Sequence, residues 1–211
     1  MSQILCFGDS ITWGAWDTEG GWVQRLRKEI DKGNMKWKYY IAVQNLGISG
    51  GTSNTILNRF ENEAKARLEE GKTIIIFSFG GNDSGWLLSK KSNQVSQEEF
   101  RNNIENLIKK AKKITNKVIF TGLCKHDETK TNPVSWHKDF CYKNKFLAAY
   151  NEIIKETCQK ESVDFIEVMD IFENDYVKLL EDGVHPNNKG HELIFKRVYD
   201  YLIKNKFVPK P

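Results

Sequence analysis

The sequence predicts one domain with a three-layer α/β/α sandwich built on a five-stranded parallel sheet. Three observations carry that expectation. Short apolar runs alternate with segments of helical periodicity along the chain, the runs are continuous rather than alternating, and glycine-rich turns follow three of them. Continuous apolar runs suit parallel strands covered on both faces, and regular strand–helix alternation is the pattern of a doubly wound sheet. At 211 residues, the chain has the length of a single domain with a sizeable core.

Residues 3–7 (Gln3-Ile4-Leu5-Cys6-Phe7) read as the first strand, closed by Gly8. Trp22, Val23, Leu26 and Ile30 then keep helical spacing. Residues 41–46 form a second strand, closed by Gly47-Ile48-Ser49-Gly50-Gly51. Thr52 or Ser53 caps the next helix, whose apolar face is Ile56, Leu57, Phe60, Ala64 and Leu68. Residues 73–79 are the clearest strand: β-branched, uncharged and stopped by Gly80-Gly81. Ser96-Gln97-Glu98-Glu99 is a capping box, opening a helix with Phe100, Ile104, Leu107, Ile108 and Ala111 on one face. A fourth strand at 117–121, a helix with Phe146, Leu147, Tyr150, Ile153 and Ile154, a fifth strand at 164–168 and a helix from 187 to 205 complete the pattern. The polar segment 124–139 is longer than an ordinary loop, which marks it for function, as part of a lid or leaving-group site.

Composition narrows the function classes. The chain is 39% hydrophobic and 28% charged, which suits a globular domain rather than a disordered one. The net charge of +4 balances 32 Lys+Arg against 28 Asp+Glu, and Lys109, Lys110, Lys112 and Lys113 lie on one helix's polar face. No stacking aromatics interleave with them, so a solvated face is expected rather than a nucleic-acid site. No apolar stretch reaches the roughly 20 residues of a membrane span. Met1-Ser2 leads straight into the first strand with no room for a signal peptide, so a cytoplasmic protein is expected. Cys6, Cys124, Cys141 and Cys158 form no Cys-x-x-Cys pair and read as reduced, partly buried thiols. His191 reads as a surface or packing residue on the last helix, and His126 and His137 as solvent-exposed residues of the long segment, with a place lining the site as the alternative. Neither of the latter has metal-ligand spacing with a Cys or carboxylate. No metal and no organic cofactor is implied.

The chemistry concentrates in the turns. Ser10, in Phe7-Gly8-Asp9-Ser10-Ile11-Thr12, follows the first strand, at the carboxyl edge where open α/β sheets place ligands. Asp182-Gly183-Val184-His185-Pro186 supplies an aspartate and a histidine, so a nucleophile, a base and a group to orient the base are all present. The glycine turns let backbone N–H groups approach a ligand, and Asn82 adds a side-chain amide. With Ser10 these form a plausible oxyanion hole. Each piece has a plainer reading: Ser10 as a helix cap, Asp9 as a structural hydrogen-bonding residue, Asp182-Gly183 and Asn82-Asp83 as turns, and His185 as a turn residue.

Four segments, in order, resemble the blocks of the SGNH (GDSL-type) hydrolases: Gly8-Asp9-Ser10-Ile11, Asn45-Leu46-Gly47-Ile48-Ser49-Gly50, Gly80-Gly81-Asn82-Asp83, and Asp182-Gly183-Val184-His185-Pro186. The resemblance spans nearly the whole chain and implies a flavodoxin-like sandwich and ester hydrolysis. It makes Ser10 the nucleophile, His185 its general base and Asp182 the group orienting the imidazole. The Ser10 and Gly50 N–H groups, with the Asn82 amide, would receive the oxyanion, Gly47 being the alternative donor. The chain departs from the family pattern at Ile11, where leucine is usual, and at Gly51, where many members carry aspartate. The second departure bears on how the turn holding Gly50 is braced.

The expected reaction is hydrolysis of a carboxylic ester through an acyl-serine, on small acyl groups and acetyl in particular. Thioesters, lysophospholipids and acetylated sugars remain open as substrates. Trp13, Trp86 and Trp136 lie near the blocks and either pack in the core or contact substrate, with Trp86 and Trp136 the candidates for contact. The expected partner is a small-molecule ester, without nucleic acid or a membrane span. Two other readings stand beside this one: a non-catalytic module of the same fold that binds a carbohydrate or acyl group, and a flavodoxin-like binder with phosphate in the second glycine turn.

Overall fold

In the computed structural model, which describes residues 2–210, the chain opens with β1 (Ser2–Gly8), the one-turn helix α1 (Ser10–Trp13) and the longer α2 (Gly21–Asn34). β2 (Ile41–Gly47), α3 (Ser53–Lys65) and β3 (Thr73–Ser78) follow, then a second one-turn helix, α4 (Gly81–Ser84). Two short strands, β4 (Trp86–Leu87) and β5 (Ser92–Asn93), precede α5 (Gln97–Lys112) and β6 (Val118–Thr121). The chain continues through β7 (Phe140–Cys141), α6 (Asn144–Lys160), β8 (Asp164–Ile166), two 3₁₀ turns and α7 (Asn188–Lys204).

The expected five-stranded parallel sheet is present, in the order β2-β1-β3-β6-β8. Side chains alternate between its faces with the two-residue period of a strand. Ile4, Cys6, Ile74, Ile76 and Ile119 pack with α2 and α7. Leu5, Phe7, Ile75, Phe77 and Phe120 pack with α3, α5 and α6. Both faces are therefore apolar, which is why the strands read as continuous hydrophobic runs. On the second face Phe77 sits among Phe7, Phe60, Phe79 and Phe120, its ring centroid 4.8 Å from Phe120 and 5.5 Å from Phe60.

The local signals for helix starts hold. Thr52 caps α3 with a capping box closed by Thr55, and the Ser96 hydroxyl accepts from the Glu99 N–H at α5. Several boundaries differ from expectation. β3 ends at Ser78 rather than Phe79, because the chain must swing through Gly80, at φ +131, toward the next turn. β8 ends at Ile166 rather than 168, because the Glu167 carboxylate accepts from the Val168 and Met169 N–H groups and starts a 3₁₀ turn. α3 stops at Lys65, which leaves Leu68 outside the helix and exposed.

The three-stranded antiparallel sheet β5-β4-β7 was not expected. Its pairs are too short to show a period. It draws the long polar segment into the fold, where Val134, Tyr142 and Val184 pack around Phe140. His126 is therefore buried, not exposed as expected, while His137 is exposed. His191 is buried, accepting from the Trp22 N–H at Nδ1 and lying 2.9 Å from the Ala15 carbonyl at Nε2. All four cysteines are free and buried. On the lysine-rich face of α5, Lys110 pairs with Glu61 and Lys112 with Glu161. Among the described residues no helix is long and apolar enough to cross a membrane.

The aromatic packing has a measurable consequence. Phe77→Ala is expected to lower the free energy of unfolding by about 3–5 kcal/mol, the range for emptying a buried aromatic site, whereas Leu68→Ala stays within about 0.5 kcal/mol. Urea unfolding checks both, and a Phe77→Ala loss under about 1 kcal/mol would contradict the packing described.

Candidate active site

Three pieces of the candidate site leave the main sheet at its carboxyl edge, and the fourth, the Asp182–His185 turn, precedes α7. In register, Gly8 lies opposite both Gly47 and Ser78, so β1, β2 and β3 end level. Gly8 has no room for a side chain, since a Cβ there would meet the Ser78 carbonyl oxygen at 2.3 Å. Immediately afterwards the Asp9 carboxylate accepts from the Ile11 N–H at 3.0 Å and caps α1. Asp9, rather than Ser10, is thus the capping residue, and Ser10 is the first residue inside the turn. As such, its N–H has no intrahelical acceptor.

Ser10 Oγ lies 2.8 Å from His185 Nε2, and His185 Nδ1 lies 2.7 Å from Asp182 Oδ2. A carboxylate can only accept, so Nδ1 carries the proton and Nε2 is left to accept from the serine hydroxyl. The other Asp182 oxygen accepts from the Val184 and His185 N–H groups, both at 2.9 Å. Burial pushes the Asp182 carboxyl up, but the hydrogen bonds from His185 and Val184 outweigh it and hold the group well below the usual carboxylate range. The turn is fixed on both sides: Glu181 N–H bonds to the His185 carbonyl, Asp127 N–H bonds to that of Gly183, and the Asn187 side chain caps α7.

The other two blocks converge on the same edge. Asn82 Nδ2 donates to the Gly51 carbonyl at 2.9 Å, and Asn82 Oδ1 accepts from the Tyr142 hydroxyl at 2.7 Å. Gly50, at φ +76, is a left-handed residue with open space where a side chain would stand. Gly47 is less available as a donor, because its N–H is engaged by Asn45 Oδ1 at 3.0 Å. Gly51 stands where the family that the sequence resembles often carries aspartate, and the second turn is well braced all the same. Gly51 holds Asn82, Asp83 accepts the Ser53 N–H with both oxygens, and Arg59 donates to the Gly8 and Leu46 carbonyls.

Burial pushes the Asp9 carboxyl up to about 6 and that of Asp83 to about 7, against the hydrogen bonds each accepts. Burial drives His126 down to about 3, so it is neutral, with its ring 4.7 Å from that of Tyr142.

Trp16 is a neighbour that no sequence pattern revealed. Its indole N–H donates to Asp182 Oδ2 at 2.8 Å, and its ring stands edge-on to His185. Trp136 also lies near His185, its ring tilted with centroids 6.3 Å apart, and is half exposed. Trp86, in β4, instead stacks on Phe146 of α6 at 4.7 Å. Beside the triad, an open groove of about 740 Å³ is lined by Trp13, Trp16, Thr18, Glu181, Asn188 and Lys189, among others. Among the described residues no group of three His, Cys, Asp or Glu is placed to share a metal ion. A serine hydroxyl bonded to an oriented imidazole, beside free N–H donors, is chemically competent for acyl transfer.

Residues 6–193 match the model of the GDSL-like lipase/acylhydrolase family. Among curated proteins, an uncharacterised Bacillus subtilis protein, YpmR, is 26% identical, covering 98% of this chain and 83% of its own length. A human isoamyl acetate-hydrolyzing esterase 1 homolog is 25% identical, over 96% of this chain and 82% of that protein. Among solved structures, a lipase/acylhydrolase from Enterococcus faecalis aligns with a TM-score of 0.76 at 21% identity, covering 96% of this chain and 95% of that one. A mutant of Axe2, an acetyl-xylooligosaccharide esterase from Geobacillus, aligns at 0.71 and 20% identity, over 94% and 92% of the two chains.

The raised carboxyls set a pH dependence. A carboxyl whose folded pKa exceeds its unfolded value, about 4, stabilises the fold fully below that value. That contribution is lost as pH rises through the folded pKa. For Asp9 the loss spans about pH 4 to 6. Asp9→Asn keeps a cap and removes the titration, so it is expected to flatten the fall of thermal midpoint across that window. The gain over wild type at pH 8, relative to pH 4, is at most about 3 kcal/mol. Melts from pH 4 to 8 check this, and an unchanged slope would contradict the buried, titrating Asp9.

Proposed function

This chain belongs to the GDSL-like lipase/acylhydrolase family, and from that membership and the site geometry we propose that it is a carboxylic-ester hydrolase. It acts through an acyl-serine on short-chain esters, chiefly acetates. The observation that carries the reading is the unbroken run Ser10–His185–Asp182, at 2.8 and 2.7 Å.

In the proposed mechanism Ser10 Oγ attacks the ester carbonyl while its proton passes to His185 Nε2. Asp182 holds the imidazole in the accepting tautomer and stabilises the imidazolium that forms. The charge developing on the carbonyl oxygen meets the Ser10 and Gly50 N–H groups and the free N–H of Asn82. Collapse expels the alcohol, which takes the proton from Nε2. Water then attacks the acyl-serine by the same route, regenerating the free hydroxyl. The groove flanked by Trp13 and Trp16, whose indole reaches Asp182, offers space for the alcohol portion, and Trp136, near the His185 ring, would form a second wall for substrate. A preference for acetyl is supported by the acetate and acetyl esters named for the human and Geobacillus relatives.

Hydrolysis of p-nitrophenyl esters from acetate to decanoate tests the proposal. Wild type is expected to be fastest at the short end, and Ser10→Ala to lower kcat by about 10⁴-fold or more. A folded Ser10→Ala protein that keeps the activity would refute the nucleophile, and a maximum at decanoate would refute the short-acyl preference.

A further inference from the structure

We propose that Tyr142 is a positioning residue that holds the oxyanion-binding face of Asn82, and that the 124–142 segment serves to deliver it. The proposal rests on the esterase reading above. A primary amide presents opposite chemistry at its two ends, and rotation by half a turn would aim a carbonyl oxygen, rather than an N–H, at a developing oxyanion. That rotation would be costly here. The Tyr142 hydroxyl donates to Oδ1 at 2.7 Å, while Nδ2 donates to the Gly51 carbonyl at 2.9 Å. With those two bonds made, the second Nδ2 hydrogen is left for substrate. A hydrogen bond accepted by Oδ1 also polarises the amide and strengthens its N–H as a donor.

Tyr142 is suited to this role by its own surroundings. It is buried, 6% exposed, with its ring against His126 at 4.7 Å and Phe140 at 5.0 Å. Burial, with the negative charges of Asp9 and Asp182, keeps the phenol protonated and therefore a donor. Its backbone is clamped to Thr131, whose carbonyl accepts the Tyr142 N–H and whose hydroxyl donates to the Tyr142 carbonyl. The segment is tied in turn to the Asp182–His185 turn by the Asp127 N–H on the Gly183 carbonyl at 2.8 Å. One stretch of chain thus contacts the acid–base turn at one end and the oxyanion amide at the other.

A double-mutant cycle tests the proposal. kcat and KM for p-nitrophenyl acetate are measured for wild type, Tyr142→Phe, Asn82→Ala and the double variant, each with a thermal melt. The expected result for Tyr142→Phe is a loss of about 10- to 100-fold in kcat with KM within about two-fold, the mark of an interaction made in the transition state. Asn82→Ala loses about 10²- to 10³-fold. In the Asn82→Ala background, Tyr142→Phe then changes kcat by less than about two-fold, because the residue it acts through is gone. Equal losses in both backgrounds, no loss in either, or a Tyr142→Phe chain that melts below the assay temperature would overturn the proposal in favour of packing alone. An Asn82→Ala enzyme as fast as wild type would instead remove the oxyanion assignment itself, and this proposal with it.

Discussion

The hydrogen bond between Ser10 Oγ and His185 Nε2 joins positions 175 apart in the chain, and the rest of the site is arranged around making it possible. Neither partner can find the other without the sheet. Ser10 leaves the end of β1, near the middle of the sheet, while the Asp182–His185 turn precedes α7, which packs with α2 over one face. Parallel pairing brings the carboxyl ends of β1, β2 and β3 level, so three separate loops open on one edge. Tilting a strand end or unpinning the Asp182 turn by an ångström would break a contact whose geometry decides its worth. That explains the density of small ties just behind the site: Arg59 to two strand-end carbonyls, Asp83 to the start of α3, and Asn187 to the start of α7.

The electrostatics follow the same plan. Four titratable groups crowd the sheet edge around His185, and burial and hydrogen bonding together separate their charge states. Asp182 stays ionised because N–H groups surround both its oxygens, while His126 is forced neutral. Asp9 and Asp83 are raised toward neutrality by the same lack of water. The permanent negative charge therefore sits against His185 Nδ1, where a proton-accepting imidazole can use it. Trp16 adds a further donor to that carboxylate from a loop held to α7 by Asn188 on Thr18.

Much of this was legible because the signals were local. The continuous run at Thr73 to Phe77, the caps at Thr52 and Ser96, and the spacing of Trp22, Val23, Leu26 and Ile30 each depend on a few neighbouring residues. Three of the four short blocks of chemistry sit next to strand ends that the apolar pattern had already placed, and the fourth lies just before the last helix. What stayed hidden depends on distance. The strands of the small sheet are two residues each, too short to carry a period, and His126 is buried only because that sheet folds the polar segment inward. Tyr142 and Trp16 act on residues 60 and 166 positions away, so no spacing could announce them. Trp86 lay close to Asn82 in sequence, yet its ring is taken by Phe146 of α6.

In the proposed mechanism His185 makes Ser10 nucleophilic. Reaction with a fluorophosphonate, followed by mass analysis of the proteolytic peptides, addresses it without requiring the natural substrate. One stable adduct is expected, on Ser10, formed rapidly in the wild type and very slowly in His185→Ala. An adduct on another residue, or labelling of Ser10 at the same rate in both proteins, would contradict it.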